Sequence, residues 1–223
     1  MNSILGKART VFFRDRSAAF ILLIFYAVGI AGHIYRPTFP LMVSLTFWVL
    51  LIFGLLVFLQ IYLRGNRGLL LWALVTYLFT FSMEALGVAT GLVFGSYIYG
   101  ETLGLMLLEV PVVIGFNWMI IVLALSVYVF RRVKNPLAGG LITAAGATLF
   151  DWVMEPAAIA MDYWRWAGGE IPLQNYLAWF VIAFICSFAF GAFKLKSSSQ
   201  LGLYYVGIQL LFFIALRVGG VSL

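Results

Sequence analysis

The chain has 223 residues, 64% of them hydrophobic and only 10% charged, with a mean hydropathy of +1.07. About a quarter of a soluble domain's residues are charged, so this composition excludes a soluble enzyme and makes the net charge of +6 a poor argument for a nucleic-acid partner. The single cysteine, Cys186, excludes a disulfide framework and a thiolate metal cluster.

Seven apolar runs recur along the chain: Ala18–Gly32, Leu41–Leu63, Leu69–Val88, Pro111–Phe130, Leu137–Ala160, Leu173–Phe193 and Leu201–Val218. Most reach the roughly 20 residues that a helix needs to cross a ~30 Å hydrocarbon core. The expectation is an all-α integral membrane protein, a bundle of about seven transmembrane helices forming one domain over residues 1–223. The cations alternate with the spans. Lys7, Arg9, Arg14, Arg16, Arg64, Arg67, Arg131, Arg132, Lys134, Lys194 and Lys196 fall on one side, leaving Arg36, Arg165 and Arg217 on the other. The positive-inside rule then predicts a multi-pass protein of the cell membrane, with its N-terminus in the cytoplasm and its C-terminus outside. The short first run after a basic start reads as a signal anchor rather than a cleaved signal peptide.

In chain order, the first span ends in GHIYRPTFP, where Pro37 and Pro40 stop one helix and start the next. His33, the only histidine, is expected at the interface, bonded to backbone or water rather than relaying protons. The third span carries Glu84 near its outer end, followed by GVATGLVFGSYIYGETLGLMLLEVP. Five glycines make this stretch unsuitable for a straight helix. Irregular backbone at membrane depth survives only against protein or a cavity, so the loop should fold back over the bundle as a pocket wall.

A repeat then emerges. Glu84, Tyr97 and Tyr99 have the spacing of Asp151, Trp164 and Trp166, and Glu109-Val110-Pro111 with Trp118 matches Glu170-Ile171-Pro172 with Trp179. Two hairpins, each an acid-bearing helix, an aromatic loop and a proline-started return helix, would face each other about a pseudo-twofold axis.

Asp151 and Glu155 are one helical turn apart on an apolar span, and an ionisable group at that depth is costly enough to mark a site. Glu155 precedes Pro156, where the helix should loosen and admit interface water. The topology brings Glu84, Glu109, Asp151 and Glu155 to the outer half of the membrane, with Asn117 and Asn175 at a similar level; Glu101 and Glu170 read as solvated loop charges. Carboxyl groups crowded into a dry space are not all ionised, so at least one keeps its proton at neutral pH. Such an acid can protonate an alkene. The faces of Trp118, Trp152, Trp164, Trp166, Trp179, Tyr97 and Tyr99, all near the inferred cavity, could stabilise the resulting cation. No mid-membrane lysine, HExxH, Walker loop, dinucleotide fingerprint or DDxxD motif is present. Acid chemistry without a cofactor or metal, on a lipid-soluble substrate, is the expectation.

The ensemble Glu84-x-x-Gly87-x-x-Thr90-Gly91-x-x-Phe94-Gly95-x-Tyr97-x-Tyr99, Pro111 with Trp118, Asp151-x-x-x-Glu155-Pro156, Trp164-x-Trp166 and Pro172-Leu173-x-Asn175 resembles the membrane carotenoid-biosynthesis proteins of the CruF-type carotenoid 1,2-hydratase family. The resemblance covers about residues 80 to 180. It implies addition of water across the terminal C1′=C2′ bond of an acyclic ψ end group, in lycopene, γ-carotene or a C50 carotenoid. Asp151 would serve as the acid and Glu155 or Glu84 as the base, with these roles exchangeable. Asn117 and Asn175 would hold the water, and Trp118, Trp164, Trp166, Trp179, Tyr97 and Tyr99 would line the substrate site. A lycopene-cyclase-type reaction and a non-enzymatic carotenoid- or lipid-binding transporter are the alternatives.

Overall fold

The computed structural model describes residues 14–221; Lys7 and Arg9, counted above among the inner-side charges, lie outside them, as do the last two residues. Among the described residues, seven helices are long and apolar enough to cross a membrane. These are α1 (Asp15–Ile34), α2 (Phe39–Leu63, preceded by a 3-10 turn at Arg36–Thr38), α3 (Gly68–Thr90), α4 (Val112–Val129), α5 (Pro136–Ala160), α6 (Leu173–Ala192) and α7 (Leu201–Val218). The all-α membrane bundle read from hydropathy is thus the architecture found.

Helix α4 is the axis: it is buried on nearly every side, and α2, α3, α5, α6 and α7 all pack on it. Helix α1 lies peripherally against α7 and α2. Outward faces such as Phe20, Leu23 and Ile24 on α1 and Leu70, Leu71, Leu74 and Val75 on α3 remain exposed, as lipid-facing surfaces should. Lipid tails are as apolar as the helices, so close packing and interhelical hydrogen bonds hold such a bundle. Gly139, Gly140, Thr143, Ala144 and Ala147 form the buried face of α5, and Ser187 on α6 donates to the Gly140 carbonyl at 3.2 Å. Thr80 on α3 donates to the Gly115 carbonyl on α4 at 3.1 Å. A Cβ at Gly115 would lie 3.1 Å from the Phe81 backbone nitrogen, so glycine lets the two helices approach this closely without displacement.

At one end of the bundle Asp15 ties three elements together. It accepts from Arg64 at 3.0 Å, Gln60 at 3.1 Å, Ser199 at 2.9 Å and the Gln200 backbone N–H at 2.9 Å. Arg64, Arg131, Lys134 and Lys196, from three different connections, line one recess at that end.

The connections at the opposite end hold short strands that hydropathy did not reveal, because two- and three-residue runs carry no usable periodicity. Strand β1 (Tyr97–Tyr99) pairs antiparallel with β4 (Trp164–Trp166) in the register Tyr97 to Trp166, Ile98 to Arg165 and Tyr99 to Trp164. Strands β2 (Met106–Leu107) and β3 (Val110–Pro111) form a hairpin whose turn residues Leu108 and Glu109 both have positive φ. Gly95, at φ +101°, lies where a Cβ would come within 2.8 Å of Pro172, so glycine lets the first loop lie against the start of α6.

Candidate active site

Thr76, Thr80 and Glu84 recur every four residues on the buried face of α3, and Ala144, Ala147, Asp151, Glu155 and Ala158 lie on the buried face of α5. Packing both faces inward brings Glu84, Asp151 and Glu155, 4%, 1% and 1% exposed, to one internal space. Its other walls are Asn175 and the aromatic residues Phe94, Tyr97, Tyr99, Trp118, Trp164, Trp166 and Trp179. The space measures about 20 Å³, room for a single water molecule.

Each acid is held differently. Glu84 Oε2 accepts from the hydroxyls of Tyr97 and Tyr99, the latter at 2.7 Å. Burial, reinforced by the adjacent Glu84 carboxyl, pushes both phenols well above their usual range, so the hydroxyls stay protonated. Glu155 Oε2 accepts from the indole N–H groups of Trp164 at 2.9 Å and Trp166 at 3.3 Å. Asn175, three residues after Pro172 in the first turn of α6, spends its amide on two carboxyls: Nδ2 donates to Asp151 Oδ2 at 2.8 Å and to Glu155 Oε1 at 3.2 Å. Glu155 thus receives three donors and Asp151 one.

The repeat has a geometric counterpart. The β1–β4 register exchanges the outer residues of the two aromatic triplets, as a twofold relation between the hairpins requires. Trp118 and Trp179, each seven residues beyond its proline, stack with ring centroids 3.7 Å apart and planes 17° apart. The opposite face of Trp179 is covered by Phe94, centroids 5.0 Å apart. Spacing matches Glu84 to Asp151, but the donors match it to Glu155, one turn further along α5, since each of these two takes a pair of aromatic donors.

Several expectations need revision. Glu109 is exposed in the β2–β3 turn and takes no part in the cluster, so three acids converge rather than four. Trp152 is 55% exposed and faces away from the site, because its neighbours Asp151 and Glu155 occupy the inward face of α5. Asn117 is buried beside Trp118 but is not a wall of the space, since Trp118 holds that position. Helix α5 runs one more turn past Pro156, and Glu155 is buried rather than open to interface water. Trp164 and Trp166 present N–H edges to a carboxylate, where free ring faces were expected. Phe94 is a wall residue outside the expected set, although its place in Thr90-Gly91-x-x-Phe94-Gly95 was visible. His33 Nδ1 lies 2.7 Å from the Gly29 carbonyl, a backbone partner as anticipated.

A family model described as "Carotenoid biosynthesis protein" matches residues 40–221. The bisanhydrobacterioruberin hydratase of Haloarcula japonica is 33% identical over 124 residues, covering 51% of this chain and 41% of that protein. The chain therefore aligns with less than half the length of that relative. No solved structure matches. The chain belongs to the carotenoid biosynthesis protein family.

Proposed function

We propose that this multi-pass membrane protein is a cofactor-independent carotenoid hydratase, adding water across the C1′=C2′ bond of an acyclic ψ end group. The observation that carries the reading is the convergence of three buried carboxyl groups on a water-sized, aromatic-walled space. The hydratase named among its relatives adds to it.

Donor count divides the roles. Glu155, receiving two indole N–H groups and one amide, is the best-stabilised carboxylate, because an indole N–H only donates. Asp151, with one amide donor and Glu155 a turn away, holds the shared proton. In the reaction the π pair of C1′=C2′ takes the Asp151 proton at C2′, leaving a tertiary cation at C1′. Water contributes a lone pair to C1′ and loses a proton to Glu155. Transfer of that proton to Asp151, through the pair bridged by Asn175, restores the starting state. Glu84, clamped by two phenols, supplies fixed negative potential to the cation.

A ψ end group is larger than one water, so it must displace part of a wall. Phe94, Tyr97, Tyr99, Trp164 and Trp166 stand on the two interhelical connections rather than on the helices, and are the walls that would have to move. Hydration is favoured over cyclisation because a cyclase must exclude water, whereas this space is water-sized and bordered by Asn175. The distribution of cations supports a cell-membrane location with the Asp15 end of the bundle cytoplasmic.

The deciding experiment incubates purified protein with lycopene in D₂O and analyses the carotenoid by mass spectrometry. After back-exchange of the hydroxyl in protic solvent, a product heavier by one HDO, with its non-exchangeable deuterium at C2′, is expected. A deuterated isomer of the substrate would mean cyclisation, and unchanged lycopene would remove the enzymatic reading.

A further inference from the structure

A second cavity opens between α1, α2 and α7, with a volume of about 230 Å³. Its walls are almost wholly apolar, and Phe25, Val28 and Leu45 at its rim are exposed, so it communicates with the lipid. Besides Thr46 and the hydroxyl-bearing Tyr26 and Tyr163, two buried polar side chains line it: His33, 7% exposed, and Gln209, 1% exposed.

Both lack a partner at one end. His33 Nδ1 lies 2.7 Å from the Gly29 carbonyl, which can only accept, so Nδ1 carries the ring proton and Nε2 is left as a buried acceptor with nothing bonded to it. Gln209 Nε2 donates to the Tyr26 hydroxyl at 3.1 Å, and its Oε1 has no partner. If the amide is turned over, the open group becomes a donor; one end of it is unmatched in either orientation. Buried polar atoms are ordinarily hydrogen-bonded. Two such exceptions, both acceptors, lining an apolar cavity many times the volume of one water ask for an apolar ligand with a group that can donate a hydrogen bond. A hydroxyl is that group.

The cavity also adjoins the acid cluster. Tyr163, hydrogen-bonded to Thr46, lines it. The next residue, Trp164, whose ring centroid is 5.9 Å from that of Tyr163, is the one that bonds Glu155. One pair of adjacent aromatic residues therefore borders both spaces.

We infer that the α1–α2–α7 cavity binds an isoprenoid chain through its hydroxyl group, whose single hydrogen is donated to one of the two open acceptors, His33 Nε2 or Gln209 Oε1. The choice of an isoprenoid alcohol rests on the hydratase reading, since that reaction makes one; the need for a hydroxyl rests on the two unpartnered atoms alone.

The test titrates the full-length protein in nanodiscs with lycopene and with its 1-hydroxy derivative, measuring retained pigment by absorbance after gel filtration. The wild type should retain the hydroxylated pigment about two- to ten-fold better, the range for one neutral hydrogen bond. His33→Leu and Gln209→Leu should each reduce that preference. Gly29→Leu, which adds a side chain at a cavity wall beside Phe212 and leaves both polar side chains in the sequence, should abolish it. All three variants should still hydrate lycopene in a single turnover, as none borders the acid cluster. Equal retention of the two pigments by the wild type, or an unchanged preference in all three variants, would overturn the inference. A preference lost in the variants, together with failure of the wild type to hydrate lycopene, would sink the hydratase reading and leave the cavity as a site for a lipid alcohol.

Discussion

The two hairpins, α3–β1–α4 and α5–β4–α6, share a plan but not an equipment list. Each hangs two aromatic residues from its connection onto one glutamate of its long helix. In the first the donors are phenols, Tyr97 and Tyr99 onto Glu84; in the second they are indoles, Trp164 and Trp166 onto Glu155. The second adds Asp151 and Asn175. At the position matching Asn175, three residues after its proline, the first hairpin has Ile114, and at the position matching Glu155 it has Val88. On the proposed reading the difference places the chemistry in the second hairpin, which holds a second acid with an amide bridging it to the first, and leaves the first as a buttress.

The change that should break this asymmetry most severely is Asp151→Asn. It keeps the volume and one acceptor for Asn175 but removes the only acid held by a single donor. Product formation should fall about 10³-fold, within the range for losing a general acid, while pigment binding and thermal stability stay near wild type. Normal turnover would remove Asp151 from the mechanism.

Glu155→Gln comes next. Its amide oxygen can still accept from the indoles, but the carboxylate proposed to take the water's proton is gone and an NH₂ faces Asn175. Turnover should drop about 10²-fold. Destabilisation of about 1–3 kcal/mol should accompany it, because two donors then meet in a buried site. Single-turnover kinetics beside a detergent-denaturation curve separates the two losses. Glu84→Gln should cost less, about ten-fold in rate, since the phenols can still donate to the amide oxygen and only the distant charge is lost. A larger loss than for Glu155→Gln would exchange the roles of the two halves.

How far the sequence anticipated this asymmetry follows from which signals were periodic. The helices were legible because each presents about twenty apolar residues, and Glu84, Asp151 and Glu155 because acids at such depth contradict their surroundings. Asn175 stood out as an amide one turn past a helix-starting proline. The β1–β4 pairing was not legible, since three residues of ladder between distant loops leave no local pattern. Asn117 and Trp152 were misplaced because depth along a helix is read from counting, whereas the face it presents depends on its neighbours: Trp118 and Asp151 take the inward positions. The exchange of Asp151 for Glu155 as the partner of Glu84 escaped because equal spacing presumes equal side chains, and an indole N–H does not reach its acceptor as a phenol hydroxyl does.

The finest test compares the clamps themselves. Tyr99→Phe and Trp164→Phe each delete one donor from a carboxyl group that keeps a second aromatic donor. If Glu84 only buttresses, the loss of Tyr99 should register as about 1 kcal/mol of stability with turnover within about two-fold of wild type. If Glu155 is the base and Asp151 the acid, loss of the Trp164 N–H weakens the stabilisation of the Glu155 carboxylate, so that group competes with Asp151 for the proton. Turnover should then fall about five-fold, a rate penalty under 1 kcal/mol by the usual conversion, with a larger stability loss than for Tyr99→Phe because the buried indole also gives up volume. Single-turnover rates measured well below each variant's melting temperature separate that packing loss from what the donor does for proton placement. Equal rate losses in the two would mean that both glutamates stand in the same relation to the reacting water, making the twofold functional as well as structural.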